Sequence, residues 1–168
     1  MLEHFTQSTK NFLKVMDITY NTSIRVVVEP VYWKNVPMIA YGCNNIKNKV
    51  IKVDDTKILD FSADYTKGEH TIWIDFFNKT NQDCLEDKDM AIKIVNIEIE
   101  GMRLYRFKWA AKYIPKYPKD WIANNPNQPE VVPSAEYLGW NGRWQLSFTT
   151  PIFTWIHRLE NLGWLYEP

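Results

Sequence analysis

The sequence predicts a mainly β fold, a jelly-roll-like β-sandwich with a short C-terminal helix. Three observations carry this. Short runs of β-branched and aromatic residues recur at close spacing between turn formers. Residues 70–78 alternate at period two, with Ile72, Ile74 and Phe76 on one face and Thr71, Trp73, Asp75 and Phe77 on the other. Eight Trp, nine Tyr and eight Phe make up 15% of the chain, a content suited to strands and to contact surfaces. The 168 residues fit a single domain, 1–168, large enough to bury a core without disulfides or metals.

Taken in order, residues 12–20 and 24–29 read as a hairpin around the turn Asn21-Thr22-Ser23. Residues 37–41, 50–53 and 58–61 are further short strands, separated by turn-forming stretches at 42–48 and 54–57. Residues 92–100 alternate with a change of phase, Ile92 and Ile94 on one register and Val95, Ile97 and Ile99 on the next. A bulge or change of sheet near Ile94 accounts for it. From 114 to 133 the pattern stops, because Pro115, Pro118, Pro126, Pro129 and Pro133 remove donors and block regular pairing. Such an excursion is functional or pinned to a partner. Asn141-Gly142 then suits a type I′ turn between Tyr137-Leu138 and the alternating Trp144, Leu146 and Phe148, predicting a second hairpin. Thr150-Pro151 predicts a helix start, and Ile152, Trp155, Ile156 and Leu159 follow helical spacing with Trp155 and Leu159 facing the sheet. One more strand is the rival reading.

Composition narrows function. Twenty basic and twenty acidic residues balance, without the electrostatic footprint of a nucleic-acid binder. Apolar runs fall far short of the roughly 20 residues that span a bilayer. The N-terminal stretch lacks a basic-then-apolar signal pattern, so the expectation is a chain used as synthesised in a reducing compartment, with Cys43 and Cys84 free. His4, His70 and His157 have no nucleophile motif beside them, and no phosphate loop or zinc spacing is present. The chain is expected not to be an enzyme.

Two residue groups remain as candidate sites. Asn78, Asn81, Asp83, Glu86, Asp87 and Asp89 crowd oxygen ligands of the kind calcium takes, although the EF-hand spacing is absent; the plainer reading is a solvated acidic loop. Two carboxylates spaced across a sugar-sized cleft, as glycosidases need, do not follow from clustering on one loop. Trp109, Tyr113, Tyr117 and Trp121 are candidates for glycan stacking or partner contact; the plainer reading has them hold the excursion against the sheet.

The succession Phe76-Phe77-Asn78, an acidic loop, Asp87-Lys88-Asp89-Met90 and Ile97-Glu98-Ile99-Glu100-Gly101 resembles the calcium-dependent xylan-binding modules, which are carbohydrate-binding β-sandwiches. That resemblance implies a carbohydrate-binding-module-like fold and calcium as a cofactor. Together with the local density it singles out Asn78, Asp83, Asp87 and Asp89 as approaching one cation. Lys79 stands where the family has a second acid, Lys88 where it has arginine and Asp89 where it has asparagine. The last hundred residues, including Tyr137-Leu138-Gly139-Trp140-Asn141-Gly142 and residues 155–164, also resemble domains in virion proteins of large marine tailed phages. This implies a structural or accessory virion component, made in the host cytoplasm. Its partners would be other virion proteins or copies of itself, with no direct nucleic-acid or membrane contact. The alternative is a calcium-dependent module binding a host surface glycan for attachment.

Overall fold

The computed structural model describes residues 17–162. Its strands are β1 (Thr19–Thr22), β2 (Ile24–Val31), β3 (Met38–Cys43), β4 (Ile46–Lys52), β5 (Lys57–Asp60), β6 (Ala63–Thr66), β7 (Gly68–Phe76), β8 (Ala91–Ile99), β9 (Ala111–Pro115), β10 (Val132–Pro133), β11 (Tyr137–Leu138) and β12 (Gly142–Thr150). The helices are α1 (Tyr105–Trp109), α2 (Lys119–Asn124) and α3 (Ile152–Leu159). A six-stranded sheet, ordered β10-β9-β12-β7-β3-β4, faces a four-stranded sheet, β11-β8-β2-β5, and β1 pairs with β6 in a separate ribbon. No described helix is long and apolar enough to cross a membrane.

Alternation builds the core. Ile72, Ile74 and Phe76 of β7 and Trp144, Leu146 and Phe148 of β12 turn inward from the larger sheet, and Ile24, Val26 and Val28 with Ile97 and Ile99 meet them from the smaller one. Each such side chain contributes roughly 1.5–3 kcal/mol by leaving water. The phase change in β8 is a bulge. Val27 pairs with Asn96 but Val28 with Ile94, so Val95 is the extra residue, pushed out to solvent while Ile97 and Ile99 return to the core.

Several sequence expectations are corrected. Residues 12–16 of the first expected strand lie outside the described residues, and β1 pairs with β6 rather than with β2. Ser23 is not a turn residue: its N–H donates to the Glu100 carboxylate at 2.6 Å and its carbonyl accepts from the Glu100 N–H, so the chain steps there from the ribbon into the four-stranded sheet. The expected hairpin about Asn141-Gly142 does not form either. Tyr137–Leu138 pairs with β8 in one sheet and Gly142–Thr150 with β7 and β9 in the other. Gly142 is required by close approach instead, since a Cβ there would stand 2.4 Å from the Ile114 carbonyl oxygen.

The excursion is shorter and more regular than 114–133 suggests. Ile114 and Pro115 belong to β9, α2 forms within it, and Val132–Pro133 returns as an edge strand against Tyr113 and Lys112. The C-terminal helix is present, but rotated from the expected face. Ile152 and Ile156 are buried, whereas Trp155 and Leu159 are half-buried against the core, Trp155 stacking on Phe107 at 5.9 Å. Thr150 does not cap that helix; it ends β12, and its hydroxyl donates to the Thr66 carbonyl.

Candidate functional site

Gly139-Trp140-Asn141, the segment between β11 and β12, joins two neighbouring loops. The Asn141 side chain accepts from the Lys79 N–H and donates to the Lys79 carbonyl, both at 2.9 Å, imitating a strand partner for the chain leaving β7. The Asn141 carbonyl accepts from the Lys116 N–H at 2.7 Å, which ties in the chain leaving β9. Beneath it, the buried Tyr113 hydroxyl donates to the Trp140 carbonyl and accepts from the Trp140 N–H. Burial pushes the Tyr113 phenol well above its ordinary range, so it stays a neutral donor.

These ties frame a cleft of about 440 Å³ lined by Lys79, Cys84, Asp89, Tyr113, Tyr117, Gln128, Tyr137 and Trp140, among others. One wall is aromatic. Tyr117 stacks on Trp121 at 5.3 Å, and both meet Trp140, Trp121 at 4.6 Å and Tyr117 edge-on at 5.8 Å. The three rings are half-buried, so they pack together yet keep area open to solvent. The Tyr117 hydroxyl donates to the Pro129 carbonyl, closing the excursion on itself.

The other wall is polar. The Lys79 ammonium, 7% exposed, lies 2.5 Å from Asp89 Oδ1, donates to the Gly139 carbonyl and sits 5.3 Å above the Trp140 ring. Tyr137 donates its hydroxyl to Asp89 Oδ2 at 2.7 Å. Burial works to raise the Asp89 pKa, but hydrogen bonds from Lys79 and Tyr137, with the Lys79 charge, outweigh it and hold the carboxyl below the usual carboxylate range. Tyr137 moves the other way, raised by burial and by the neighbouring carboxylate.

The four candidate metal residues sit in different surroundings. The Asn78 side chain accepts from the Met38 N–H at 2.7 Å and donates to the Val36 carbonyl at 3.0 Å. Asp83 is buried under a short 3₁₀ turn, Asn81–Asp83, where it accepts from the Thr80 N–H, the Thr80 hydroxyl and the Asn35 amide at 2.8–2.9 Å. Trp33 reinforces this turn by donating to the Asp83 carbonyl at 3.0 Å. Asp87 is exposed, and Asp89 lines the cleft. Among the described residues no group of three or more His, Cys, Asp or Glu side chains is placed to hold a metal ion.

Of the aromatic candidates, Tyr113 and Tyr117 line the cleft, Trp121 packs on the Tyr117 and Trp140 rings without lining it, and Trp109 is exposed at the end of α1, before the opposite end of β9. Lys79, Tyr137 and Trp140 escaped selection as site residues. Their signal was the conversion of an expected acid to Lys79 and the Trp beside Asn141-Gly142, but nothing local says that they meet.

No protein-family model matches the chain, and no curated protein matches it. Among solved structures, the chain is similar to vCBM60, from work on two circularly permuted families of calcium-dependent carbohydrate-binding modules. The selenomethionine form aligns with a TM-score of 0.47 and 16% identity, over 74% of this chain and 89% of that one. The galactobiose complex of the same module gives a TM-score of 0.46 and 16% identity, over 76% of this chain and 97% of that one. The described chain is mainly β, built of antiparallel sheets with a short C-terminal helix, and structurally similar to these modules.

Proposed function

We propose that this domain binds carbohydrate, without catalysis, in the cleft beside Trp140. The observation that carries the reading is the half-exposed corner of Tyr117, Trp121 and Trp140 rings, set against the hydrogen-bonding row of Lys79, Asp89 and Tyr137. A sugar offers two kinds of surface, an apolar C–H face that desolvates together with an aromatic ring and an edge of hydroxyls that donate and accept. The cleft offers a counterpart to each, and its volume of about 440 Å³ lies within the range of small-ligand pockets.

The same geometry speaks against glycoside hydrolysis there. That reaction needs two carboxyl groups roughly 5–9 Å apart. Among the described residues lining the cleft, Asp89 is the one carboxylate, and it is already engaged by Lys79 and Tyr137. The excursion makes contacts within the chain, Tyr117 and Trp121 meeting Trp140 and the Tyr117 hydroxyl bonding the Pro129 carbonyl, which offset part of its ordering cost.

Glycan-array binding followed by affinity electrophoresis tests the reading. Retention on at least one glycan class is expected, with Trp140→Ala and Tyr117→Ala, both at rings that line the cleft, each weakening it about tenfold or more. An array without signal, or retention indifferent to both substitutions, overturns it and favours protein docking through the excursion.

A further inference from the structure

The resemblance to calcium-dependent modules implies a calcium ion near Asn78, Asp83, Asp87 and Asp89, and the donor chemistry of these residues does not fit one. Calcium takes six to eight oxygens. Here Asn78 and Asp83 are committed to neighbouring amides and hydroxyls, Asp87 is exposed, and Asp89 faces an ammonium group. We propose that the Lys79 ammonium is the cleft's own resident cation, tethered to the chain, so that assembly of the cleft does not depend on a divalent ion.

The surroundings of Nζ are those of a cation site sized for an ammonium. A carboxylate oxygen from Asp89 and a carbonyl oxygen from Gly139 accept from it, and the face of the Trp140 ring covers it at 5.3 Å. These partners belong to separate stretches of chain, the end of the acidic segment and the strand connection 139–141, so one charge clamps two walls of the cleft. The lysine backbone is itself fixed from both sides by the Asn141 amide, which leaves the side chain little freedom to leave. A charge held this way needs no ion from solution and spends no oxygen ligands beyond two. Removing it leaves the partly buried Asp89 carboxylate with the Tyr137 hydroxyl and the weak 3.8 Å contact of the Cys84 thiol as its side-chain donors.

The inference concerns the cleft proposed to bind carbohydrate but can be tested without a glycan. Thermal unfolding of the full chain is followed in calcium chloride and in chelator, together with hydrogen exchange of the residue 79 and residue 116 backbone amides, both held by Asn141. The midpoint should be the same in both solutions. Lys79→Met should lower it by about 5 °C and speed exchange of both amides on the order of tenfold. If Lys79→Met does not fold, Asp89→Asn removes the counter-charge at nearly constant shape and should give the same faster exchange. A midpoint that rises with calcium, or unchanged exchange in whichever variant folds, overturns the proposal. A protein that shows these shifts yet retains no glycan keeps its resident cation and loses only the carbohydrate reading.

Discussion

The acidic segment between β7 and β8 and the proline-rich segment between β9 and β10 meet at one cleft, yet they are ordered by opposite means. The first is closed by polar side chains that bond within the segment and to the neighbouring 35–38 stretch: Asp83 to Thr80 and Asn35, Asn78 to Met38 and Val36, Lys79 to Asp89. The second is closed by aromatic faces, Tyr117 and Trp121 leaning on Trp140. In the polar segment most of the four candidate metal residues are consumed in making the loop, whereas in the aromatic one each ring keeps part of its area exposed. A high local density of oxygen atoms is therefore poor evidence of a binding site until their internal partners are known.

The largest effect should come from breaking the polar closure. Asp83→Ala removes the buried acceptor of the Thr80 N–H, the Thr80 hydroxyl and the Asn35 amide, whose own residues are exposed, and is expected to cost about 2 kcal/mol in denaturant unfolding. A loss below about 1 kcal/mol would mean that water replaces the carboxylate and that the segment is not closed from within.

Acid should separate the two segments next. Burial works to raise the Asp83 pKa, but donors from Thr80 and Asn35 and the nearby Lys34 charge hold it below the usual carboxylate range, as Lys79 and Tyr137 do for Asp89. Depressed native values mean that this stability is fully present above the unfolded carboxylate pKa, about 4, and is lost as pH falls through the lower native values. The rings of the excursion carry no group that titrates there, and burial moves Tyr117 further into the alkaline range. Hydrogen-exchange protection of the Asp83 and Cys84 amides, bonded to the Thr80 and Asn81 carbonyls, should therefore be lost below about pH 4 before tryptophan fluorescence reports any change at Trp121 and Trp140. Simultaneous loss of both signals would make the two segments one cooperative unit.

Breaking the aromatic closure should cost less in stability than in binding. Tyr117→Ala removes a half-buried ring that lines the cleft, for about 1–2 kcal/mol, while abolishing most glycan retention. Trp109→Ala, at an exposed position outside the cleft, should leave retention unchanged. The smallest effect belongs to Asp87→Asn, exposed and expected within about 0.5 kcal/mol of the parent. A marked fall in melting temperature there would return Asp87 to the list of ligand candidates.

The sequence by itself determined the elements whose signal is local. Period-two alternation in β7 and β12, the phase change that became the Val95 bulge and the helical spacing of residues 152–159 all follow from how successive side chains point along one stretch of backbone. Tertiary structure alone decided which strands pair and which polar groups are spent. Asn141-Gly142 has the composition of a two-residue turn, but its glycine answers the approach of Ile114 and its asparagine the backbone of Lys79, partners 28 and 62 positions away in a chain numbered 1–168. Lys79 and Trp140 likewise read as a stray base and one more aromatic until the fold brings them over Asp89 and against Trp121. Such pairings are set by the free energy of closing long loops around a shared core, a quantity that no window of sequence contains.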